Sequence, residues 1–257
     1  MEKKEISAEL KKWGGFYLAG ILCAVGLRYY YGHAGSDELK WILGPVAGWA
    51  KCLCGLDFVY QTGVGYINHP LRFIIAPSCS GIRFLMIAML MMLFTFVHRM
   101  KTWKRGAVWT GLCLVSAYAY TVFVNGIRIV LSICIPIWME QGRFHIEWLT
   151  SERLHTMIGT TVYFTALLLL YQAVDRLLYI CGKAGREEPY GDLGGRLWYV
   201  VPMFWYISLV LLLPFLHRAV GADQTGFLEY SVMVTGMCLA VLAAARLGRH
   251  LLAVCRR

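Results

Sequence analysis

The 257-residue chain is 58% hydrophobic and only 16% charged, with a mean hydropathy of +0.56. A soluble domain carries about 45–50% apolar and about 25% charged residues, so this composition argues against a soluble globular protein. The formal charge of +10 does not indicate a nucleic-acid partner, because the lysines and arginines gather at the ends of apolar runs, as the positive-inside bias produces. The expected fold class is an all-α polytopic membrane protein, a single integral-membrane domain over 1–257 in contact with membrane lipids.

The chain opens on "MEKKEISAELKKW", charged and followed by an apolar run without a small-x-small cleavage pattern, so the first span, 15–32, is expected to stay in place. Next, "WILGPVAGWAKCLCGL" (41–56) is a short run interrupted by Gly44-Pro45 and Lys51, and is read as an interfacial or re-entrant helix. In 57–78, β-branched and aromatic residues mix with Gly63, Gly65 and Pro70, which predicts a short β-hairpin or extended segment outside the hydrocarbon. Five further spans are expected at 79–97, 106–126, 155–179, 197–216 and 229–249, each close to the roughly 20 residues a bilayer requires. No internal repeat or low-complexity stretch interrupts them. The nine cysteines include one CxC, Cys52 and Cys54, but no CxxC, and there is no HExxH. Neither a metal nor a cofactor is expected.

Charge assigns the sides. The connection 98–105 holds Arg99, Lys101, Lys104 and Arg105 without an acid, and is expected to be cytoplasmic. The N-terminus (Lys3, Lys4, Lys11, Lys12), the 180–196 loop (Lys183, Arg186, Arg196) and the tail (Arg246, Arg249, Arg256, Arg257) all share that side if there are six crossings. The 41–78 segment then begins and ends outside. By the same path Cys79 lies at the outer N-terminus of its helix. Asn125 and Arg128 arrive at the outer end of the next helix, and His155 starts the one after.

These residue types suit acyl transfer. A helix N-terminus presents unpaired N–H groups and partial positive charge, which favours thiolate over thiol. In "PSCSGIRF" (77–84), Ser80-Gly81 permits a tight turn, and Gly81 leaves room for a substrate backbone. An arginine at membrane depth is costly unless it is paired or lines a polar cavity, so Arg128 is a candidate to stabilise a thiolate or an oxyanion. His155 is placed to move a proton between the thiol and a leaving amine. Alternatives stand at each position. Cys79 can be a structural thiol, and Arg128 can snorkel to head groups. Arg83 competes for the cationic role from one turn beyond Cys79, and His145 in "GRFHIEW" competes with His155. His33, His69 and His217 are expected outside with less around them, and His98 and His250 inside. The aromatics of "YAYTVF" (118–123) are read as span packing and belt residues, with a groove for a substrate helix as the alternative.

"PSCSGIRF", then "NGIRIVLSI" with Arg128 49 positions after Cys79, then "RLHTMIGTTVYF" with His155 27 further on, resemble the exosortase/archaeosortase family over residues 57–180. Members carry a Cys in a C-S-G or C-T-G motif, an Arg in N-x-x-R and a His before a later span. The resemblance implies that Cys79, Arg128 and His155 are catalytic, with Ser80, Gly81, Arg83 and Asn125 supporting. It implies a cysteine transpeptidase, which the charge-based topology above would set in the cytoplasmic membrane with both termini cytoplasmic and its site at the outer face. Its partners would be exported proteins bearing a C-terminal transmembrane sorting signal, cut through a thioester and passed to an acceptor. Phe84 departs from the small hydroxyl residue many members have there, and 197–249 lies beyond the shared core. The residues alone leave open a purely hydrolytic intramembrane cysteine protease, a membrane acyltransferase using a small acyl donor, and a transporter or scaffold without catalysis.

Overall fold

The computed structural model describes residues 2–142, 148–182, 198–212, 214–215 and 224–255. It is dominated by helices: α1 (Glu2–His33), α2 (Lys40–Cys54), α3 (Ile82–Phe96), α4 (Trp103–Gln141), α5 (Ser151–Gly182), α6 (Val200–Ile207, continued by a π turn over Ser208–Leu212) and α7 (Gln224–Cys255). Among the described residues four segments are long and apolar enough to cross a membrane: Pro77–Arg99, Trp103–Gln141, Ser151–Cys181 and Gly226–Leu251. The protein is therefore polytopic. The expected spans 15–32 and 197–216 are not among the four. In α1 the apolar residues are diluted by Gly14, Gly15, Gly20, Gly26, Arg28 and the Tyr29–Tyr31 run. The second is an apolar helix described only over Val200–Leu212.

The chain forms two compact units, Met1–Phe144 and His145–Arg257. In the first, α3 is the centre. Apolar but for Arg83 and Thr95, it buries Ile82, Phe84, Leu85, Ile87, Met89, Met91 and Phe96, as a helix with neighbours on most sides does. α1 packs on it, with Tyr17 stacked on Phe94 at 4.7 Å, and α4 packs on another face, with Phe84 6.0 Å from Tyr120. α4 starts where Thr102 caps it, accepting from Arg105 N–H at 3.3 Å, which ends the basic connection.

α2 lies along α4 as a full helix over the segment expected to be interfacial or re-entrant. It buries Ile42, Leu43, Val46, Ala47 and Ala50 on one face. Pro45 sits inside it and has no N–H to give the Trp41 carbonyl four residues back. Tyr118 of α4 supplies the missing donor, its hydroxyl donating to Trp41 O at 2.7 Å with the two rings stacked at 5.6 Å. Gly126 permits the close approach of the two helices, since a Cβ there would collide with the Trp49 ring.

Between α2 and α3 runs a three-stranded antiparallel meander, β1 (Val59–Gln61), β2 (Gly65–Asn68) and β3 (Phe73–Ile75), in the order β1-β2-β3. It has one strand more than the expected hairpin. Asp37, in the α1–α2 turn, ties it down by accepting from the Tyr60 hydroxyl and from Gly63 N–H (3.1 Å), with Lys40 Nζ at 3.3 Å. In the second unit α5 packs on α6 and α7, with Phe164 5.5 Å from Tyr206, an Arg153–Glu229 ion pair and a 2.9 Å Arg249–Gln172 bond.

Candidate functional site

Cys79 closes a 3-10 turn, Pro77–Cys79, that leads out of β3. Its N–H donates to Ala76 O at 2.8 Å, and Ser80 N–H donates to Pro77 O at 3.0 Å. The Tyr31 hydroxyl, from the end of α1, reaches Pro77 O at 3.4 Å. α3 itself begins at Ile82, so the cysteine precedes the helix by three residues and does not open it as expected. The dipole of a helix acts mainly within its first turn, so α3 adds less at Cys79 than a thiol inside that turn would receive.

Gly81 makes the junction possible. It caps α3 with φ +77, a left-handed conformation that disfavours side chains, and its carbonyl accepts from Leu85 N–H at 3.0 Å. It also faces α4 at close range, because an added Cβ would lie 3.1 Å from Asn125 Cγ and 3.1 Å from Thr121 Cγ2. The turn is thus pressed onto the flank of α4.

That flank holds the second motif. The sequence predicts a helix ending near 126 with Asn125 and Arg128 at its outer end. Instead α4 runs 39 residues, and both residues lie inside it on a buried face. Nothing between Asn125 and Pro136 breaks a helix, and one glycine, Gly126, does not suffice. Asn125 Nδ2 donates to Cys79 O at 2.5 Å, and Asn125 Oδ1 accepts from Arg128 Nη1 at 3.2 Å. One amide therefore joins the cysteine turn to the guanidinium. Arg128 is 7% exposed and Cys79 7%. The neutral amide satisfies part of the arginine's hydrogen-bonding capacity, and a buried guanidinium needs such partners.

Two residues that motif reading passed over belong to the same face. Thr121 and Ser132 are buried, and among the described residues their hydroxyl oxygens have no hydrogen-bond partner. With Asn125 and Arg128 they make a buried polar stripe at helical spacing, i, i+4, i+7 and i+11, along the middle of the helix. That periodicity was the available signal.

The structure brings Cys79, Ser80, Gly81, Asn125 and Arg128 together, with Ser80 fully buried. Arg83 is exposed. His155 lies half-buried in the second turn of α5, in the second unit, because that helix starts at Ser151 and not at 155. His145 lies outside the described residues. Phe84, the departure noted above, is fully buried in α3.

Fold and site define a polytopic membrane protein in which a buried cysteine turn is hydrogen-bonded through one asparagine to a buried arginine. The chain belongs to the transmembrane exosortase family, whose model (Exosortase_EpsH) matches residues 10–172, well over half of it. The match starts before the motif-bearing segment and takes in most of α1 and all of α2. Comparison with curated proteins and with solved structures gives no match.

Proposed function

We propose that the protein is an intramembrane cysteine transpeptidase acting on exported proteins that carry a C-terminal transmembrane sorting signal. The Cys79 sulfur attacks the scissile carbonyl, forming a C–S bond. The oxyanion that develops is stabilised by Arg128, held in place by Asn125. His155 takes the thiol proton and returns it to the leaving amine as the C–N bond breaks, which leaves a thioester. An acceptor nucleophile then attacks the thioester carbonyl, the C–S bond breaks, and the sulfur recovers its proton. The site works at the outer face of the cytoplasmic membrane, with both termini inside and with α1 and the α6 segment as further crossings. The Asn125 bridge carries this assignment, since it supports a thiol-bearing turn and a buried cation acting as one unit.

Cells carrying Cys79→Ala should retain on an exported protein the C-terminal membrane segment that wild-type cells remove, with the variant still inserted at normal abundance. The mass of the wild-type product's new C-terminus distinguishes an added group, expected for transfer, from a free acid, which marks hydrolysis. Normal processing by Cys79→Ala would refute the nucleophile.

A further inference from the structure

Among the described residues β3 is an edge strand, paired with β2 on one side only. The hairpin sets which of its groups face outward. Val64 N–H donates to Gln61 O at 3.1 Å, which makes Gln61↔Gly65 the bonded pair at the turn. Alternation then directs Gly65 and Ile67 to β1, and Tyr66 and Asn68 to β3. Ile75 O agrees with this, because it lies where a Cβ on Gly65 would strike it. So Ile75 and Phe73 bond to β2, and the N–H and C=O of Ile74 point to the open edge. Among the described residues neither group meets a partner. Ile74 is 44% exposed, whereas its neighbour Ile75 is fully buried in the same apolar cluster as Cys79. Ala76 continues the extended backbone at φ −87, ψ 170, so the open edge runs directly into the Pro77–Cys79 turn.

An unpaired edge with free backbone groups is a template for another strand, and soluble proteins usually blunt it with lysine, proline or a bulge. β3 carries none of these: its residues are Phe73, Ile74 and Ile75. Resting on the nucleophile assignment above, we propose that an extended segment of the protein substrate adds to β3 as a fourth strand, which leads its scissile bond to Cys79. Main-chain pairing would supply affinity, and alternate side chains of the segment would supply selectivity.

The test uses full-length enzyme in its membranes, and as probe the exported protein that Cys79→Ala cells leave uncut. Ile74→Pro removes an outward N–H and places a ring on the edge, without taking a bond from the β2–β3 ladder. It should raise KM about tenfold while kcat and the alkylation of Cys79 by N-ethylmaleimide stay at wild-type values. Independently, prolines placed one at a time along the probe next to the cleaved bond should block processing at every second position. Wild-type KM in Ile74→Pro, or proline sensitivity without a period of two, overturns the edge while Cys79 stands as nucleophile. Processing by Cys79→Ala overturns both.

Discussion

Asn125 occupies the decisive place at the residue scale because its two amide atoms point to different partners. The nitrogen holds the carbonyl of the cysteine turn, and the oxygen orients the guanidinium. This arrangement asks for a fork at position 128. A guanidinium can donate to Asn125 with one nitrogen and still present others to an oxyanion, whereas an ammonium is a point charge on a flexible stem. Arg128→Lys should therefore lower kcat by about a hundredfold or more, within the range that removing one oxyanion donor costs. Abundance and insertion should be unchanged. Near-wild-type turnover by the lysine variant would show that charge alone suffices. The motif residues were legible in the sequence because C-S-G and N-x-x-R are local patterns. The bond between them was not, because it joins backbone to side chain across 46 positions.

At the scale of elements, two devices hold the cysteine-bearing segment. The first is the repair of Pro45 by Tyr118. Tyr118→Phe leaves the Trp41 carbonyl without its donor and should cost about 1 kcal/mol, read as a lower thermal midpoint in detergent. An unchanged midpoint would mean that water replaces the hydroxyl at no cost. The second is Asp37, which fastens the sheet. The Tyr60 hydroxyl foremost, then Lys40 and Gly63 N–H, lower its pKa below 3.8. A depressed carboxyl stabilises the fold fully above its unfolded pKa and loses that contribution as pH falls through the folded one. Stability should fall from about pH 3.8 downward, and Asp37→Asn should flatten that part of the profile. An identical acid limb in Asp37→Asn would assign it to other carboxyls. The sequence reading of 118–123 as packing and belt residues missed Tyr118's role, because the need arises from a proline on another helix. It also ended α4 too early. At about 1.5 Å per residue, 39 residues span about 58 Å, nearly twice a hydrocarbon core of about 30 Å. Bilayer thickness was a poor guide to a helix end that only breakers and caps set. The mixed glycine and aromatic pattern of 57–78 did indicate strands, since turn glycines and β-branched residues are local signals.

At the scale of the whole molecule, membrane character was legible from composition alone, and the family match extends the motif reading toward the N-terminus. α1 illustrates what composition does not settle. Its length suits a crossing, but its glycines and tyrosines lower its hydropathy, while Tyr17 stacks on Phe94 and Gly20 lies close to Leu93 of α3. His155 belongs to this scale as well, since it comes from α5 in the second unit. Processing by His155→Ala should fall far below that of His145→Ala, measured as substrate cleaved per minute at matched abundance. Equal rates would remove His155 as the acid/base.

Acyl transfer through Cys79 is most directly tested by intact-mass and peptide analysis of the full-length enzyme quenched in acid during turnover. A substrate-derived adduct on the peptide containing Cys79, released by neutral hydroxylamine and missing in Cys79→Ala, is the predicted result. Turnover with no such adduct, or with an adduct mapping to another residue, would contradict it.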